Sequence, residues 1–311
     1  MHVTRLLPLI GLLLATGDRA QPPVIAHSTW QAAAPVGITP AGAAVRRNIG
    51  VGDSLVFGNH VVHVMATARD SVNGRAIDLA RLELATAGGT GTAVREPRTV
   101  TEGRAFNWRG IHVVVVAVYG PGELGAGLVA LELAAVASLP AAVADADSAG
   151  GAAMRIRIPH QITHVTLHHT GDARPLRVEE DPAQRLRNLQ AWGARDRNWW
   201  DVPYHFLLDL EGDIYEGRDW RFMGETNTTY DPSGHFLVSI IGNYDQQEPT
   251  VAQLASIAKL MAWAIRTNGL SIDDIGGHYH YANTGCPGKY LKRYLEDGTL
   301  RRMVEAQLAA H

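Results

Sequence analysis

The first half of the chain consists of short apolar runs separated by turn-forming residues. Gly, Asn and Asp punctuate these runs, which cover residues 54–68, 78–88, 105–120 and 127–137. Residues 113–118 are continuously apolar, a pattern typical of a strand buried on both faces. Short runs with such punctuation are characteristic of strands. We therefore predict a β-rich domain over residues 24–138.

The second half combines strand patterns with amphipathic helices. Strands are predicted at residues 162–167, 204–210, 213–216 and 236–241. Asp181, which is followed by proline, and the capping box of Thr250 with Gln253 mark the starts of two helices. A further helical region is predicted at residues 288–308. Strands and helices alternate, which predicts an α/β (α+β) domain with a mixed central sheet flanked by helices over residues 155–311.

Two segments lie outside these domains. Residues 1–20 have a basic start, an apolar stretch of about a dozen residues and small residues after it, which is the layout of a secretory signal peptide. The stretch is shorter than the ~20 apolar residues that span a membrane, although a membrane anchor or a buried start of the first domain stays an alternative. Residues 139–154 are small and polar and predict a linker. We expect export to the periplasm or the extracellular space, with no membrane span in the mature chain.

Composition narrows the classes of partner and of site. The net charge of −3 and the pI near 6.5 give no basic field, which argues against a nucleic-acid partner. Cys286 is the single cysteine, so an intrachain disulfide and a zinc site built on a pair of cysteines are both excluded.

Three residues could together bind a metal ion. His168 lies at a predicted strand end, and His278 and Cys286 stand eight residues apart in the segment GGHYHYANTGCPG. Two imidazoles and one thiolate are good zinc ligands, and three protein ligands leave the fourth tetrahedral position for water. The chain has 14 histidines, however, so spacing alone leaves a metal hydrolase and a merely buried cysteine both open.

Four strings in the second half resemble a known superfamily. They are VTLHHTG (165–171), WWDVPYHFLLDLEGDIYEGRDW (199–220), SIIGNYD (239–245) and GGHYHYANTGCPG (276–288). In this order they resemble the zinc-dependent N-acetylmuramoyl-L-alanine amidases of type 2, whose superfamily includes the peptidoglycan recognition proteins. The resemblance covers about residues 162–290. It implies hydrolysis of the amide bond between the lactyl group of N-acetylmuramic acid and the L-alanine of a stem peptide, in peptidoglycan or muropeptides.

The resemblance also implies a set of zinc ligands. It assigns His168 as the first ligand, with His169 as the alternative, since neighbouring strand residues face opposite ways. His278, rather than His280, is the second ligand, and Cys286 is the third.

Catalytic and substrate-binding roles follow from the same resemblance. Tyr204 matches the catalytic tyrosine, whose hydroxyl donates to the oxyanion or holds the nucleophilic water. Thr284 stands where catalytic recognition proteins carry a threonine. Candidate substrate contacts are aromatic, basic or imidazole side chains that could stack on sugars or pair with carboxylates. They are Trp200, His205, Arg218 and Trp220. Residues 226–234 depart from the pattern of the recognition proteins.

Two other functions stay open at this point. One is a non-catalytic wall-binding receptor, although receptors of the superfamily typically replace the cysteine that is present here as Cys286. The other is a cytosolic amidase that recycles anhydro-muropeptides, against which the signal-like start and the added β-rich domain argue. The sequence does not indicate the role of that domain.

Overall fold

A computed structural model describes residues 21–30, 39–40, 44–72, 75–86, 94–120, 127–139, 156–197 and 199–310. Within these ranges the first half is β-rich, and the second half combines a mixed sheet with helices. The predicted fold class is therefore confirmed. The predicted signal peptide at residues 1–20 lies outside the described residues, as does the predicted linker apart from Leu139.

Two antiparallel four-stranded sheets dominate the first half of the described chain. The strands there are β1 (Thr39–Pro40), β2 (Ala44–Gly50), β3 (Ser54–Phe57), β4 (His60–Val72), β5 (Arg75–Thr86), β6 (Arg95–Thr101), β7 (Arg104–Trp108), β8 (Ile111–Tyr119) and β9 (Leu128–Ala135). One sheet has the order β2–β9–β8–β7, and the other has the order β3–β4–β5–β6. Both sheets contribute to one apolar core, in which Val64, Val113 and Leu131 are fully buried. Burial of residues 113–118 agrees with their continuous apolar run.

The second half is built on a mixed sheet. Its strands are β10 (Ile156–Arg157), β11 (His164–His169), β12 (Phe206–Leu208), β13 (Ile214–Glu216), β14 (His235–Ile240) and β15 (Ile275–Gly277). In the described chain, five of them form a sheet with the order β13–β12–β14–β11–β15, and β10 pairs with β1. Strands β14, β11 and β15 are parallel neighbours, so their carboxyl ends lie at one edge of the sheet.

Helices cover this sheet and begin where the capping residues predict. The described helices are α1 (His27–Trp30), α2 (Pro182–Asp196), α3 (Val251–Asn268), α4 (Lys289–Glu296) and α5 (Thr299–Ala309). The Asp181 side chain accepts a hydrogen bond from the Ala183 N–H at the start of α2, and Thr250 and Gln253 form the capping box of α3. The helical region predicted at residues 288–308 is divided in two at Gly298, which has a φ of 74°. Among the described helices, none has the combination of length and apolar character that crossing a bilayer requires.

The segment before β1 packs on the second half of the chain. The Ile25 N–H donates a hydrogen bond to the Ile214 carbonyl, over 2.7 Å, and thus extends the sheet edge at β13. Trp30 is fully buried, and its indole N–H donates to the Glu216 carbonyl over 2.9 Å. Residues 24–30, which the sequence assigns to the β-rich domain, therefore contact the domain that follows.

Strand β2 also contacts the second half, through polar side chains. The Arg46 guanidinium lies 2.9 Å from carboxylate oxygens of both Glu132 and Glu225, and all three side chains are buried. Arg47 pairs with Asp231 over 2.8 Å nearer the surface. The partners Glu225 and Asp231 belong to one loop of the second half, between β13 and β14. The β-rich half therefore contacts that loop through two ion pairs.

Candidate metal centre

The carboxyl ends of β11 and β15 place two of the predicted ligands side by side. Leu167 of β11 pairs with Gly277 of β15 in parallel register, and His168 and His278 are the next residue of each chain segment. Their ring centroids lie 4.6 Å apart, and both side chains are buried. The register of two short strands thus brings together residues that are far apart in the sequence.

The loop after β15 adds the third predicted ligand. Cys286 is held by its backbone: its carbonyl accepts a hydrogen bond from the Tyr279 N–H, and its N–H donates to the Thr284 hydroxyl, each over 3.2 Å. Its Sγ lies 3.6 Å from Nδ1 of His168. One potential ligand atom from each of His168, His278 and Cys286 lies within 4.8 Å of the others. The structure therefore brings the three residues into one cluster.

The distances within this cluster suit a tetrahedral zinc ion. Sulfur and nitrogen ligands at about 2.3 and 2.1 Å from a shared tetrahedral ion are themselves about 3.6 Å apart, and the Sγ to Nδ1 distance between Cys286 and His168 is 3.6 Å. Nε2 of His168 is buried and has no hydrogen-bond partner among the described residues. Because the distance to Cys286 assigns Nδ1 of His168 to the ion, Nε2 would remain without a partner in the described part of the chain, and the fit to zinc rests on the distances and the donor set.

Burial shifts the pKa values of all three candidate ligands. It lowers the pKa of His168 well below its ordinary value and lowers the pKa of His278 to about 4, so both imidazoles are neutral and carry a lone pair at neutral pH. Burial also raises the pKa of the Cys286 thiol to about 12. A metal ion binds the thiolate, so it would displace a proton from this sulfur.

His169 lies outside the cluster, although it is adjacent to His168. Its Nδ1 accepts a hydrogen bond from the Tyr244 N–H over 3.2 Å, and the ring is largely buried. The opposite orientation of neighbouring side chains in β11 explains this difference. The structure therefore places His168, rather than His169, with the other two candidate ligands.

A cavity of about 450 Å³ opens beside the three candidate ligands and also contains both predicted catalytic residues. Tyr204 lines it, and its ring centroid lies 5.3 Å from that of His168. The Tyr204 hydroxyl donates to the His169 carbonyl over 3.2 Å, and burial raises the pKa of this phenol, which keeps it protonated. Thr284 lines the same cavity. The site thus has two neutral hydroxyl groups near the cluster.

A second cavity of about 560 Å³ adjoins the first along the carboxyl edge of the sheet. Thr170, Gly171 and Asn227 line both cavities. Helix α2 forms part of the far wall of the second cavity, through Leu189 and Trp192. The two cavities together offer an elongated space that leads away from the candidate metal ligands.

The structure places Arg218 away from the cavities, in contrast to its predicted role as a substrate contact. Its side chain is fully buried, and the guanidinium donates to the carbonyls of Val202, Asp201 and Met223 over 3.0 to 3.1 Å. It also pairs with Glu225 over 3.0 Å. All of these bonds are made within the protein, so the guanidinium stabilises the loops that surround it.

Trp200 and His205 are also buried, whereas Trp220 is half-buried and lines a separate cavity, not the one beside the candidate ligands. Trp200 lies under the Arg218 guanidinium, which is 4.4 Å from its ring centroid. Both ring nitrogens of His205 are bonded to the backbone, to the Phe222 carbonyl and the Leu237 N–H. Trp220 packs against the buried aromatic core. Among the neighbouring tryptophans, Trp199 lines the cavity.

The position of Arg218 gives a prediction about stability. Arg218→Ala should lower the free energy of unfolding by about 3–5 kcal/mol, because it removes one partner of a buried ion pair. Arg221→Ala is the control, since Arg221 is exposed and pairs at the surface with Asp219, and it should change stability by less than about 0.5 kcal/mol. Chemical denaturation of both variants measures the difference. A stable Arg218→Ala protein that only binds substrate more weakly would favour the substrate-contact hypothesis instead.

Thr228 lies beside the cluster and was not among the residues predicted from the sequence. The Thr228 hydroxyl lies 2.8 Å from Nε2 of His278 and is buried. This contact leaves Nδ1 as the nitrogen of His278 that can bind an ion. The signal available in the sequence was the departure of residues 226–234 from the pattern of the recognition proteins, which marks the segment as unusual but does not indicate its contact.

Comparison with known proteins agrees with the sequence motifs. Residues 159–289 match the family model described as N-acetylmuramoyl-L-alanine amidase. Peptidoglycan-recognition protein SC1a/b of Drosophila simulans is 30% identical over 145 residues, which cover 45% of this chain and 76% of that protein. N-acetylmuramoyl-L-alanine amidase of Homo sapiens is 33% identical over 128 residues, which cover 40% of this chain and 22% of the human protein.

Solved structures include similar proteins as well. Manduca sexta Peptidoglycan Recognition Protein-1 is 28% identical, covers 45% of this chain and 79% of its own, and has a TM-score of 0.40. From the family match and the Drosophila relative, the chain belongs to the superfamily of type 2 N-acetylmuramoyl-L-alanine amidases and peptidoglycan recognition proteins. The resemblance identified in the sequence is therefore confirmed.

Proposed function

We propose that this protein is an exported, zinc-dependent N-acetylmuramoyl-L-alanine amidase. It hydrolyses the amide bond between the lactyl group of N-acetylmuramic acid and the L-alanine of a peptidoglycan stem peptide. The observation that carries this proposal is the convergence of His168, His278 and Cys286 beside an open cavity. Family membership supports the amide substrate, since the matching family model is described as such an amidase.

The ligand set fits zinc. Two imidazoles and one thiolate match the preference of this ion, and a set of three protein ligands is typical of catalytic rather than structural sites. Zinc, when bound, supplies a Lewis acid that polarises a carbonyl group and activates water near neutral pH. His168, His278 and Cys286 would hold the ion.

Tyr204 supplies a hydrogen-bond donor in this proposal. Burial keeps its phenol protonated, and its hydroxyl lies at the wall of the cavity, where it donates to the His169 carbonyl. When the scissile carbonyl carbon becomes tetrahedral, negative charge develops on its oxygen, and a donor near that oxygen lowers the barrier. The single proton of the Tyr204 hydroxyl would turn from the His169 carbonyl to this oxygen. Tyr204 therefore stabilises the oxyanion by a hydrogen bond and keeps its proton. Water adds to the carbonyl carbon, the C–N bond breaks, and the amine of L-alanine leaves with a proton that comes from this water.

Thr284 has two roles in this proposal. Its oxygen accepts the Cys286 N–H and so fixes the loop that carries the thiol. Its hydroxyl proton can donate into the cavity that Thr284 lines. Since the threonine is neutral, it contributes a hydrogen bond and no positive charge to the site.

The adjoining cavities would accommodate a part of the substrate, the stem peptide or the glycan, in the elongated space that leads away from the ligand cluster. Trp199 lines the cavity, but it is only 3% exposed, so it contributes apolar wall and no free ring face. Asn227 is placed between the two cavities and offers an amide for peptide hydrogen bonds. Asn227 therefore replaces Arg218, Trp200, Trp220 and His205 as our candidate for substrate binding.

Incubation of the purified protein with intact sacculi tests the proposal. We expect release of free peptides that begin with L-alanine, loss of this release when a chelator is added, and recovery on addition of zinc. New reducing sugar ends would indicate a glycosidase. Unchanged sacculi that sediment with bound protein would favour the non-catalytic receptor, and either result would contradict the proposed function.

A further inference from the structure

Strand β2 of the β-rich half presents two buried polar side chains to the second half of the chain. Arg46 and Asn48 lie two residues apart and therefore on the same face of the strand. The next residue, Ile49, faces the apolar core between the two sheets. The face with Arg46 and Asn48 is thus the outer face of the sheet, and the part of the β13–β14 loop from Glu225 onward covers it.

Asn48 donates two hydrogen bonds to this loop. Its side-chain nitrogen donates to the carbonyl of Thr226 over 2.7 Å and to the carbonyl of Thr228 over 2.8 Å. One amide nitrogen has two protons, so a single Asn48 side chain can make both bonds at once. Glu225, just before this turn, is held from both sides, by Arg46 and by Arg218.

The turn of residues 226–228, which Asn48 holds, contacts the candidate metal ligand His278. The Thr226 hydroxyl oxygen accepts a hydrogen bond from the Thr228 N–H over 3.1 Å and lies 2.8 Å from the Thr228 hydroxyl. The Thr228 hydroxyl in turn lies 2.8 Å from Nε2 of His278. A series of hydrogen bonds, connected through the covalent chain of residues 226–228, therefore joins Asn48 of the β-rich half to His278.

This series determines what His278 can do. When Nδ1 of His278 binds an ion, Nε2 carries the proton and donates it to the Thr228 hydroxyl, which can then donate to Thr226. Partners of this kind fix the tautomer and the orientation of a ligating histidine, and their loss typically weakens metal binding by about 10- to 100-fold. The position of Thr228 depends on the turn that Asn48 holds.

We propose that the β-rich half contributes to the metal centre. Asn48 acts as a positioning residue: it holds the turn of residues 226–228, and Thr228 of this turn supports His278. The proposal rests on the proposed zinc site, and it assigns a role to a domain whose sequence indicates none. Asn48 does not touch the ion or the substrate. Its effect is transmitted through residues 226–228.

The zinc affinity of the full chain tests this role without any measurement of activity. Competition with a chromophoric chelator gives the dissociation constant. Thr228→Val, which removes the hydroxyl, should weaken zinc binding by about 10- to 100-fold, and Thr228→Ser should restore it. Asn48→Ala should weaken it by about 10-fold. Asn48→Leu, which keeps the volume and removes the donors, should behave in the same way.

Controls separate this effect from general destabilisation. Asn59→Ala makes the same chemical change at an exposed turn of the β-rich half and should leave zinc affinity unchanged. The double variant Asn48→Ala with Thr228→Val should bind zinc no more weakly than Thr228→Val alone, because both changes break the same series. Thermal unfolding of the metal-free variants shows whether they remain folded.

Wild-type affinity in both Asn48 variants, or additive losses in the double variant, would overturn the proposal. If the wild-type protein releases peptides from sacculi and the Asn48 variants bind zinc as tightly as it does, this inference alone is overturned. A wild-type protein without stoichiometric zinc would overturn the metal centre and this inference together.

Discussion

Cys286→Ser should bind zinc on the order of 100-fold more weakly than the wild-type protein and should lose hydrolysis of sacculi when free zinc is scarce. Structural zinc sites with four ligands gain about 10–16 kcal/mol from the ion, so one ligand accounts for roughly 3 kcal/mol, or about 100-fold in affinity. A serine hydroxyl keeps the shape of the side chain but does not become an anion near neutral pH. Chelator competition and peptide release measure the two effects.

His280→Ala is the matched control for this loss. His280 is exposed, lies two residues after His278, and its ring accepts a hydrogen bond from the Gly277 N–H. It belongs to the same loop but not to the ligand cluster, so zinc affinity should remain within a few-fold of wild type. Equal zinc affinity of Cys286→Ser and the wild-type protein would exclude the thiolate from the site.

Tyr204→Phe should keep zinc bound and lower kcat by about 10²- to 10³-fold, the usual effect of removing one donor to a developing oxyanion. The phenyl ring preserves the packing beside His168, so the zinc dissociation constant should not change. KM should change little, because the hydrogen bond strengthens only in the transition state. Steady-state kinetics on a soluble muropeptide separates kcat from KM.

Tyr290→Phe provides the comparison for this substitution. Tyr290 lies in the first turn of α4 and is not among the residues that line the cavity with the candidate ligands, so removal of its hydroxyl should leave kcat unchanged. Full turnover by Tyr204→Phe would remove the oxyanion role from Tyr204. A loss of zinc from Tyr204→Phe would instead assign the tyrosine to the integrity of the site.

The local patterns of the sequence predicted most of the elements around the site. The capping residues Asp181 and Thr250 located two helix starts, because a cap is determined by residues within one turn of the helix. Strand β15 was missed, since it has only three residues and two are glycines. Its pairing with β11 nevertheless places His278 beside His168, and such pairing depends on the whole sheet.

Long-range polar contacts were the part that the sequence could not predict. An arginine that binds a substrate carboxylate and one that is buried beside a glutamate look alike in sequence, and Arg218 is of the second kind. Similarly, Asn48 and Thr228 are 180 residues apart in the chain, and their hydrogen bond exists only because the two halves pack together. The sequence motifs therefore identified the candidate metal ligands but not the residues that position those ligands.

X-ray absorption at the zinc edge, combined with elemental analysis of the purified wild-type protein, tests the central claim most directly. The account predicts one zinc ion per chain with two imidazole nitrogens and one sulfur among its ligands, contributed by His168, His278 and Cys286. Substoichiometric metal after purification in the presence of zinc, or a bound ion without a sulfur ligand, would contradict it.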